Sequence, residues 1–513
     1  MSIIKNWSAT LQGLQATLIE VEADRMQGKP ALTIIGLAEK AVEEAKERIA
    51  NALSNCGLRL KCKKTVVNLA PADLRKTSSN LELAIAVSLW ELTQEEKIAD
   101  EKDLFLGELS LDGKLRAVRG ALPLVNFARE RGFKRVFLPK SNQSEVQIVD
   151  GIEIYPVATL QEVLDFLQKK ARLAPLSPVP YLPGEAKVKV DFADIIGQKV
   201  AKRCLEIAAA GGHNLLLTGV PGAGKSLLAS SLPSILPPLT REEALEITTI
   251  YSICGLLDQQ GLIKTRPCRS PHHTISAVGL AGGGSKLLPG EISLAHHGVL
   301  FLDELGEFRR DALEILRQPL ETGQISIARA TGHVIYPAEV TLVAATNPCP
   351  CGYLGSKKRA CICSQAEIER YRHKLSGPIL DRLDMQIFVP EVEVSELTAK
   401  REITTARQQK ETSAAVRARV VRARARQRAR WQALGLQTNQ QLSSYQVRQQ
   451  LQMEKGAQEL LTKAMERWQL SARSYFKLIK VARTIADLEE EEKPIIEAKH
   501  VAEALTYRQS ERK

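Results

Sequence analysis

Residues 214–226 read Asn-Leu-Leu-Leu-Thr-Gly-Val-Pro-Gly-Ala-Gly-Lys-Ser, and this stretch decides the fold of the central domain. Its first part, Asn214 to Thr218, is a short apolar run of the kind that is buried in a parallel sheet. Gly219 to Ser226 then form a complete G-x-x-x-x-G-K-[ST] motif, and a run with helical period follows from Leu227 to Ile235. A strand, a glycine-rich loop and a helix in this order predict a phosphate-binding loop on an α/β sheet.

The loop also predicts how a nucleotide is held. Backbone amides and the N-terminus of the following helix face the phosphates, Lys225 reaches the terminal phosphates, and the Ser226 hydroxyl ligates Mg²⁺. ATP and Mg²⁺ are therefore the expected cofactors. The predicted nucleotide-binding residues are Gly219, Val220, Pro221, Gly222, Ala223, Gly224, Lys225, Ser226 and Leu227.

Two more apolar runs end in polar residues that suit hydrolysis. Val299–Leu302 is followed by Asp303 and Glu304, and a predicted strand from Glu339 to Thr346 is followed by Asn347. Ligands of open α/β folds bind at the carboxyl ends of the strands, so these side chains are expected beside the loop. We expect Asp303 to complete the Mg²⁺ site, Glu304 to polarise the attacking water and Asn347 to lie near the γ-phosphate.

Composition limits the class of protein. The chain has 513 residues, a formal net charge of +12 and 44% hydrophobic residues, which excludes disordered and collagen-like proteins. No stretch is apolar enough for a membrane span and the start lacks a secretory signal, so a cytoplasmic protein without a membrane partner is expected. Nine cysteines, an odd number, favour thiols or a metal site over a disulfide framework.

The chain divides at a proline-rich stretch from Leu173 to Gly184, which is typical of a semi-rigid linker. Before it, strand-like runs alternate with helix-period segments, which predicts an α+β or α/β domain. Beyond about Val394 the pattern is helical, with no strand-like run. The predicted organisation is an N-terminal domain over 1–172, a linker over 173–186, a parallel-sheet core over 187–393 and a helical domain over 394–513. In the first domain, the predicted strands are Ala31–Leu37, Thr65–Leu69, Leu104–Leu106 and Arg135–Leu138, and the predicted helices are Glu39–Asn55, Leu81–Leu92 and Leu122–Arg131.

A cysteine array follows Asn347 and consists of Cys349, Cys351, Cys361 and Cys363. Four thiolates could hold Zn²⁺ tetrahedrally, although Cys-x-x-Cys is the commoner spacing. Free thiols and redox chemistry are the alternatives. The remaining cysteines are scattered and are expected to be ordinary small apolar residues.

Basic residues concentrate between Thr412 and Met453, where no acidic residue occurs. On a helical wheel, Arg417, Arg424 and Arg428 share one face, and we predict that this face contacts DNA phosphates. The alternative is a solvated helix between domains.

Several motifs carry a family resemblance. The order of phosphate loop, Asp-Glu strand, Ala-Thr-Asn strand and Ser376-Gly-Pro-Ile-Leu-Asp-Arg-Leu-Asp384 resembles an AAA+ ATPase of the magnesium-chelatase-like clade. Asn68-Leu-Ala-Pro-Ala-Asp73, Arg269-Ser-Pro-His-His273, Asn347-Pro-Cys-Pro-Cys-Gly352 and Leu470-Ser-Ala-Arg-Ser-Tyr475 together resemble the bacterial ComM/YifB family over essentially the whole chain. The resemblance implies a Lon-protease-like N-terminal domain, an AAA+ core and a helical magnesium-chelatase-type C-terminal domain. It also implies a homo-oligomeric ring, normally a hexamer, with the ATP site between protomers.

The resemblance assigns two more catalytic residues and a partner. Arg382 matches the arginine finger that reaches a neighbour's γ-phosphate, and Arg473 matches the sensor-2 arginine. The family is understood to drive branch migration and integration of incoming single-stranded DNA in natural transformation.

Two short alternating runs, Gly323 to Ala330 and Gly332 to Pro337, predict a hairpin just before the Asn347 strand. This hairpin is similar to the pre-sensor hairpin of minichromosome-maintenance helicases, whose basic residue faces the pore of the ring. Arg329 is the corresponding residue here, and we expect it to contact DNA.

Two other functions compete with a DNA motor: a magnesium-chelatase-type motor for metal insertion, and an ATP-dependent protease. Alignment with the Lon region puts Leu122 roughly where the catalytic lysine belongs. Ser79 lies near the serine position, but a hydroxyl without a base is a weak nucleophile. We therefore expect a non-proteolytic N-terminal domain.

Overall fold

The structure is a computed structural model, and it divides the chain into two compact units. It describes residues 3–27, 29, 31–36, 39–58, 64–71, 79–185, 188–257, 261–284, 287–329, 332–374, 377–392, 411–489 and 495–508. The first unit contains Met1–Leu182 and Arg241–Ile263, and the second contains Pro183–Thr240 and Lys264–Lys513.

The secondary structure alternates strands and helices through both units. The strands are β1 Ile4–Gln12, β2 Gln15–Met26, β3 Ala31–Ile35, β4 Lys64–Ala70, β5 Asp103–Phe105, β6 Glu108–Leu109, β7 Leu115–Arg116, β8 Arg135–Pro139, β9 Glu153–Val157, β10 Leu215–Gly219, β11 Cys268–Arg269, β12 Gly282–Gly283, β13 Leu288–Pro289, β14 Val299–Leu302, β15 Gln324–Arg329, β16 Gly332–Pro337, β17 Thr341–Thr346, β18 Met385–Val389, β19 Gln452–Met453 and β20 Ile495–Ile496. The helices are α1 Glu39–Asn55, α2 Glu82–Gln94, α3 Ala121–Glu130, α4 Gln143–Val146, α5 Leu160–Leu167, α6 Lys199–Gly211, α7 Lys225–Ile235, α8 Arg241–Cys254, α9 Ala277–Ala281, α10 Glu291–Leu294, α11 Arg310–Ile315, α12 Arg317–Thr322, α13 Gln365–Lys374, α14 Gly377–Leu380, α15 Ser413–Trp431, α16 Ser444–Gln450, α17 Lys455–Trp468, α18 Ala472–Leu488 and α19 Ala498–Thr506.

The first unit is built on a seven-stranded sheet in the order β3-β4-β2-β1-β5-β8-β9. Strand β2 pairs antiparallel with both β1 and β4, and the other neighbours in the sheet run parallel. Helix α2 supplies an almost continuous row of buried residues against β1 and β2, with Leu83, Ile85 and Leu89 fully buried. The mixed α/β domain predicted before the linker is thus observed.

Helix α8 belongs to the first unit, although the sequence-based boundary at 187 assigned it to the core domain. It packs against α3, where the Gly120 amide donates to the Ser252 carbonyl at 3.3 Å. The side chain of Ser252 also donates to Glu145. These contacts place Arg241–Ile263 in the first unit, although the residues before and after it belong to the second. A single boundary along the sequence cannot describe such an arrangement.

The second unit holds a five-stranded parallel sheet in the order β11-β14-β17-β10-β18. Strands β14 and β17 are buried along their whole length, as expected for strands covered on both faces. Helix α7 follows β10 and packs Leu228, Leu232 and Ile235 into the core. The order places β10, with its phosphate loop, between β17 and β18.

The described residues beyond Val394 are mainly helical, as predicted, with one small addition. Helices α15 and α18 pack against each other and against α6 of the sheet layer. Strands β19 and β20, of two residues each, form a short parallel pair that the sequence analysis did not predict. Within the described part of the chain, no helix combines the length and apolarity needed to cross a membrane.

Candidate active site

The phosphate loop joins the end of β10 to the start of α7. Gly222 and Gly224 have φ angles of +79° and +91°, which side chains on L-residues rarely adopt, so glycine is required there. The first bond of the helix runs from the Leu228 amide to the Gly224 carbonyl at 2.9 Å. Amides of the first helical turn have no acceptor inside a helix and therefore suit an anion.

Lys225 lies at the centre of the loop. Its Nζ donates to the carbonyls of Gly219 at 2.5 Å and Val220 at 3.1 Å, and to Asn347 Oδ1 at 3.1 Å. The residue is only 8% exposed, and this burial lowers the pKa of Lys225, while the charges of Asp303 and Glu304 oppose the shift. A phosphate oxygen that replaces one of these acceptors keeps the ammonium group paired.

The predicted Mg²⁺ ligands are in direct contact. Ser226 Oγ donates to Asp303 Oδ2 at 2.7 Å. Adjacent oxygens of an octahedral Mg²⁺ shell lie about 3.0 Å apart, given Mg–O distances of about 2.1 Å. A hydroxyl and a carboxylate at this spacing fit the ion, which would neutralise charge on the β- and γ-phosphates.

Glu304 is held in an unusual backbone conformation. Its φ and ψ are 53° and 48°, in the left-handed region, and its amide donates to Asp303 Oδ1 at 2.9 Å. Such a conformation costs of order 1–3 kcal/mol in a non-glycine residue and often occurs at active sites. Its Oε2 lies 3.4 Å from Nδ1 of His273, whose role the sequence analysis did not assign. The carboxylate is therefore held beside the Asp303 end of β14.

Arg382 and Arg473 converge on one carboxylate. Arg382 Nη2 lies 2.7 Å from Glu321 Oε1, and Arg473 Nη2 bonds the same oxygen. Glu321 is near the end of α12, and the sequence analysis missed it because nothing local marks its partners. The structure thus places the two predicted arginines together.

A second ion pair explains this convergence. Asp384, two residues after Arg382, is buried and lies 3.3 Å from Nζ of Lys477. Lys477 is one turn after Arg473 on α18. The shared contact with Glu321 and the Asp384–Lys477 pair both connect the segment before β18 to the first helical turns of α18. These contacts hold Arg382 and Arg473 on one side of the second unit.

The four cysteines of the predicted array form one cluster, which we call the cysteine loop (residues 349–363). Its Sγ atoms all lie within 4.8 Å of one another. The pairs Cys349–Cys351, Cys349–Cys361 and Cys351–Cys361 are separated by 3.4, 3.6 and 3.5 Å. Backbone N–H groups of Tyr353 and Ile362 lower the pKa of Cys351 to about 6, which favours its thiolate near neutral pH.

The predicted hairpin is present. Strands β15 and β16 pair antiparallel with Arg329 opposite Gly332, so Arg329 is at the end of the hairpin. Its side chain is exposed. A simple ion pair with an acidic neighbour is the alternative to a DNA contact, and among the described residues no acidic side chain pairs with Arg329.

The arginines of α15 have partners inside the chain. Arg417 donates to the Ser234 carbonyl at 2.8 and 2.5 Å, and Arg424 donates to the Ala209 carbonyl at 3.1 and 2.9 Å. Both acceptors are in the last turns of α7 and α6, where carbonyls lack intrahelical donors. Arg428 is half-buried. These contacts explain Arg417 and Arg424 by helix packing, and a DNA role for the three stays a prediction without structural support.

The residue that the sequence analysis placed roughly at the lysine position of a Lon-type dyad is apolar. Leu122 is fully buried in the core of the first unit, in α3. Ser79 begins a short 3₁₀ turn, and its side chain lies outside the described residues. A buried leucine offers no base for a serine nucleophile.

The parallel sheet, the phosphate loop and the polar ends of β14 and β17 define a P-loop ATPase. Sequence models described as "Magnesium chelatase, subunit ChlI", "Subunit ChlI of Mg-chelatase" and "Magnesium chelatase, subunit ChlI C-terminal" match residues 191–397, 21–142 and 410–508.

Full-length relatives narrow the family further. The chain is 40% identical to competence protein ComM of Haemophilus influenzae, over 99% of this chain and 98% of that one. It is 41% identical to YifB of Escherichia coli, over 98% and 96% of the two chains. Lon protease 2 of Bacillus subtilis is 27% identical over 29% of each chain, so that similarity is partial. The chain belongs to the ComM/YifB family of magnesium-chelatase-like AAA+ proteins, a family that implies ATP hydrolysis with Mg²⁺.

Proposed function

We propose that this protein is a ring-forming ATPase that couples ATP hydrolysis to movement on DNA in the cytoplasm. Its task would be branch migration that aids integration of single-stranded DNA in natural transformation. The observation that carries the proposal is that a short stretch of chain connects Arg329, at the turn of the hairpin, to Asn347, which contacts Lys225. The exposed arginine ends a hairpin whose second strand leads, after Pro337, into β17, and Asn347 at the end of β17 contacts Lys225. The name of the Haemophilus relative, a competence protein, supports the same reading.

Each residue of the site has a distinct role in hydrolysis. The first-turn amides of α7 and Lys225 bind the phosphates, and Ser226 with Asp303 hold Mg²⁺. Glu304 accepts a proton from the attacking water as the water approaches the γ-phosphate. Asn347 bridges Lys225 to the strand that follows the hairpin, so a change at the γ-phosphate reaches the DNA-contacting arginine through one short segment.

The placement of Arg382 and Arg473 supports a ring. Within the protomer both arginines bond Glu321. A guanidinium stabilises charge on a transferred phosphate only if it reaches that phosphate. We therefore place these arginines on the surface that meets a neighbour's ATP, in a closed ring that is normally a hexamer in this family.

The test of the function is ATP turnover with and without single-stranded and branched DNA, together with strand exchange on a four-way junction. DNA should raise turnover, and the protein should move the junction only with hydrolysable ATP. A metal-insertion motor would show turnover that is independent of DNA. That result would replace the proposal with the chelatase alternative.

The first prediction concerns DNA contact. Arg329→Ala should weaken DNA binding about tenfold or more and evenly across sequences, because a guanidinium-phosphate contact is repeated around the ring and carries no sequence information. The salt dependence of binding should also fall, by about one unit of slope for each phosphate that is no longer neutralised. Fluorescence anisotropy at several salt concentrations measures both effects.

The control for that prediction is Arg310→Ala. Arg310 is on α11 and its side chain is 87% exposed, so the variant removes the same charge away from the hairpin. It should leave DNA affinity, salt slope and ATP turnover nearly unchanged. Equal decreases in the two variants would mean that overall charge, rather than the hairpin, attracts DNA.

The cysteine loop is part of the proposal, as a structural Zn²⁺ site. Sulfur atoms of tetrahedral Zn²⁺ with Zn–S bonds of about 2.3 Å are about 3.8 Å apart. The separations of 3.4 to 3.6 Å among the sulfurs of Cys349, Cys351 and Cys361 come close to this value. Amides also donate to two of the sulfurs, from Leu354 to Cys349 and from Cys351 to Cys363, as in metal-thiolate sites.

The second prediction is one Zn²⁺ per chain after purification without added chelator. Removal of the metal should lower the melting temperature by about 5 °C or more, since binding energy at a structural site is folding energy. Cys363→Ser should lose the metal, whereas Cys268→Ser, at an exposed cysteine outside the loop, should keep it. Elemental analysis and thermal unfolding measure these outcomes. A metal-free protein with an unchanged melting temperature in chelator would leave the cysteines as free thiols.

A further inference from the structure

The cysteine loop lies directly against the phosphate loop. Gly352, between the two cysteine pairs, has a φ of +84° and packs on Pro221. A Cβ atom at Gly352 would lie 2.9 Å from Pro221 Cγ, 3.0 Å from Pro221 Cδ and 3.9 Å from Asn347 Cγ. Only glycine therefore allows this close approach of the two loops.

The phosphate loop contacts the segment 347–363, which contains the cysteine loop, at two points. Lys225 donates to Asn347 at 3.1 Å, and Cys349 follows Asn347 by two residues. The carbonyl of Cys349 accepts a hydrogen bond from the Gly352 amide at 3.0 Å. Gly352 in turn packs against Pro221 in the phosphate loop. The position of Asn347 is thus determined from both sides, by Lys225 and by the cysteine loop.

The second cysteine pair, Cys361 and Cys363, forms the C-terminal end of the cysteine loop. Cys361 lies 3.5 and 3.6 Å from the sulfurs of Cys351 and Cys349. The segment between the pairs has contacts of its own: Ser356 Oγ donates to Glu391 at 2.7 Å, the amides of Lys358 and Arg359 donate to Ser356 Oγ, and Arg359 lies over the ring of Tyr353 at 4.4 Å. Contacts at exposed side chains contribute little each, whereas a metal ion shared by four thiolates would tie both cysteine pairs together at once.

We propose that metal in the cysteine loop stabilises the catalytic arrangement of the ATP site. The inference rests on the proposed ATPase function and the proposed Zn²⁺ site, and adds that turnover depends on the metal. The four cysteines and Gly352 are positioning residues in this proposal, because they act by holding Asn347 and Pro221 in place. The metal class is a thiophilic divalent ion, of which Zn²⁺ is the expected occupant.

The main test compares zinc-loaded protein, zinc-stripped protein and Cys361→Ser. Cys361 is chosen because it is far along the chain from Asn347, so the variant removes a ligand without altering the segment next to the site. Both metal-free forms should bind ATP with KM within about threefold of wild type and lose about tenfold or more in kcat, since binding uses the phosphate loop and only alignment is impaired. Re-addition of Zn²⁺ should restore kcat in the stripped protein but not in Cys361→Ser.

Two variants separate positioning from general destabilisation. Cys361→His keeps a zinc ligand and should regain both metal and turnover. Gly352→Ala keeps all four cysteines and should retain one Zn²⁺, yet lower kcat, because its methyl group pushes against Pro221. Metal content, melting temperature and fluorescent-nucleotide affinity are measured on the same samples as kcat.

The outcomes are distinguishable. Wild-type kcat in metal-free Cys361→Ser, or in zinc-loaded Gly352→Ala, would overturn the inference and leave the ATPase assignment intact. Absence of ATP turnover in zinc-loaded wild-type protein would instead overturn the proposed function. Zinc-free wild-type protein as purified, with full turnover, would overturn the inference together with the metal site.

Discussion

Glu304→Gln is expected to bind ATP normally and to lose about 10²- to 10⁴-fold in turnover, the range that a positioned general base contributes. The amide keeps the shape of the side chain but cannot accept the proton of the attacking water. The change is not expected to disturb the left-handed backbone at this position, because the hydrogen bond seen there, from the Glu304 amide to Asp303 Oδ1 at 2.9 Å, does not involve the Glu304 side chain. Single-turnover hydrolysis and fluorescent-nucleotide binding separate the two effects.

The matched comparison is Lys225→Ala, which should lose nucleotide binding itself. Lys225 is bonded to two loop carbonyls and to Asn347, so its removal takes away the phosphate contact and loosens the loop. Binding without turnover in Glu304→Gln, against no binding in Lys225→Ala, identifies the separate roles. Wild-type turnover in Glu304→Gln would move the catalytic base elsewhere, and His273 at 3.4 Å would be the first residue to test.

The ATP site could be predicted from sequence because its parts are local motifs at the ends of parallel strands. Each of Lys225, Asp303 and Asn347 follows a short apolar run, and the carboxyl ends of parallel strands meet at one edge. The contacts from Lys225 to Asn347 and from Ser226 to Asp303 show that the predicted residues lie together, while their catalytic roles stay predictions. The hairpin before β17 was predictable for the same reason, since its alternation and turn are adjacent in the chain.

Strand β1 shows where pattern reasoning fails. It buries polar residues, including Asn6, Ser8 and Thr10, which hides the apolar alternation of a strand. Their partners lie far away in the sequence: Asn6 donates to Glu91 at 2.6 Å, and Ser8 donates to the Phe105 carbonyl at 2.7 Å. A buried polar group is stable only with such a partner, and no window of sequence contains it.

The same limit explains Glu321 and the arginines of α15. Glu321 is 152 residues from Arg473, so its ion pair cannot be inferred from spacing. Arg417 and Arg424 look like a basic face on a helical wheel, but the carbonyls that they bind belong to helices about 200 residues earlier. A cluster of arginines in the sequence thus indicates that their side chains need hydrogen-bond acceptors. The sequence does not say whether those acceptors are DNA phosphates or carbonyls of the protein.

Arg382→Ala should lose about 10³-fold or more in turnover, the scale of an arginine finger, with nucleotide affinity nearly intact. The reason is that Arg382 is expected to stabilise the transition state at a neighbour's γ-phosphate. Within its own protomer, Arg382 bonds Glu321. Removal of a group that acts only in the transition state lowers kcat and kcat/KM together. Steady-state kinetics of the assembled ring measures this.

Mixed rings test whether the arginine acts between protomers. Arg382→Ala has an intact phosphate loop and lacks the finger, and Lys225→Ala has the reverse defect, so each is inactive alone. In a randomly mixed equimolar ring, about one interface in four joins an intact loop to an intact finger, and activity should return to about a quarter of wild type. The control mixes Arg382→Ala with the double variant Lys225→Ala/Arg382→Ala, which offers no finger and should stay inactive.

The mixed-ring result also decides the part played by Glu321. If Glu321 holds Arg382 and Arg473 in position for the neighbour, the double variant Lys225→Ala/Glu321→Gln should donate its finger poorly and restore less activity to Arg382→Ala than Lys225→Ala does. Lys225→Ala/Glu314→Gln is the matched variant, because Glu314 pairs with Arg317 at 2.6 Å and with no catalytic arginine. No recovery in any mixture, from rings shown by mass analysis to contain both variants, would place Arg382 in its own protomer's site and contradict the shared ATP site.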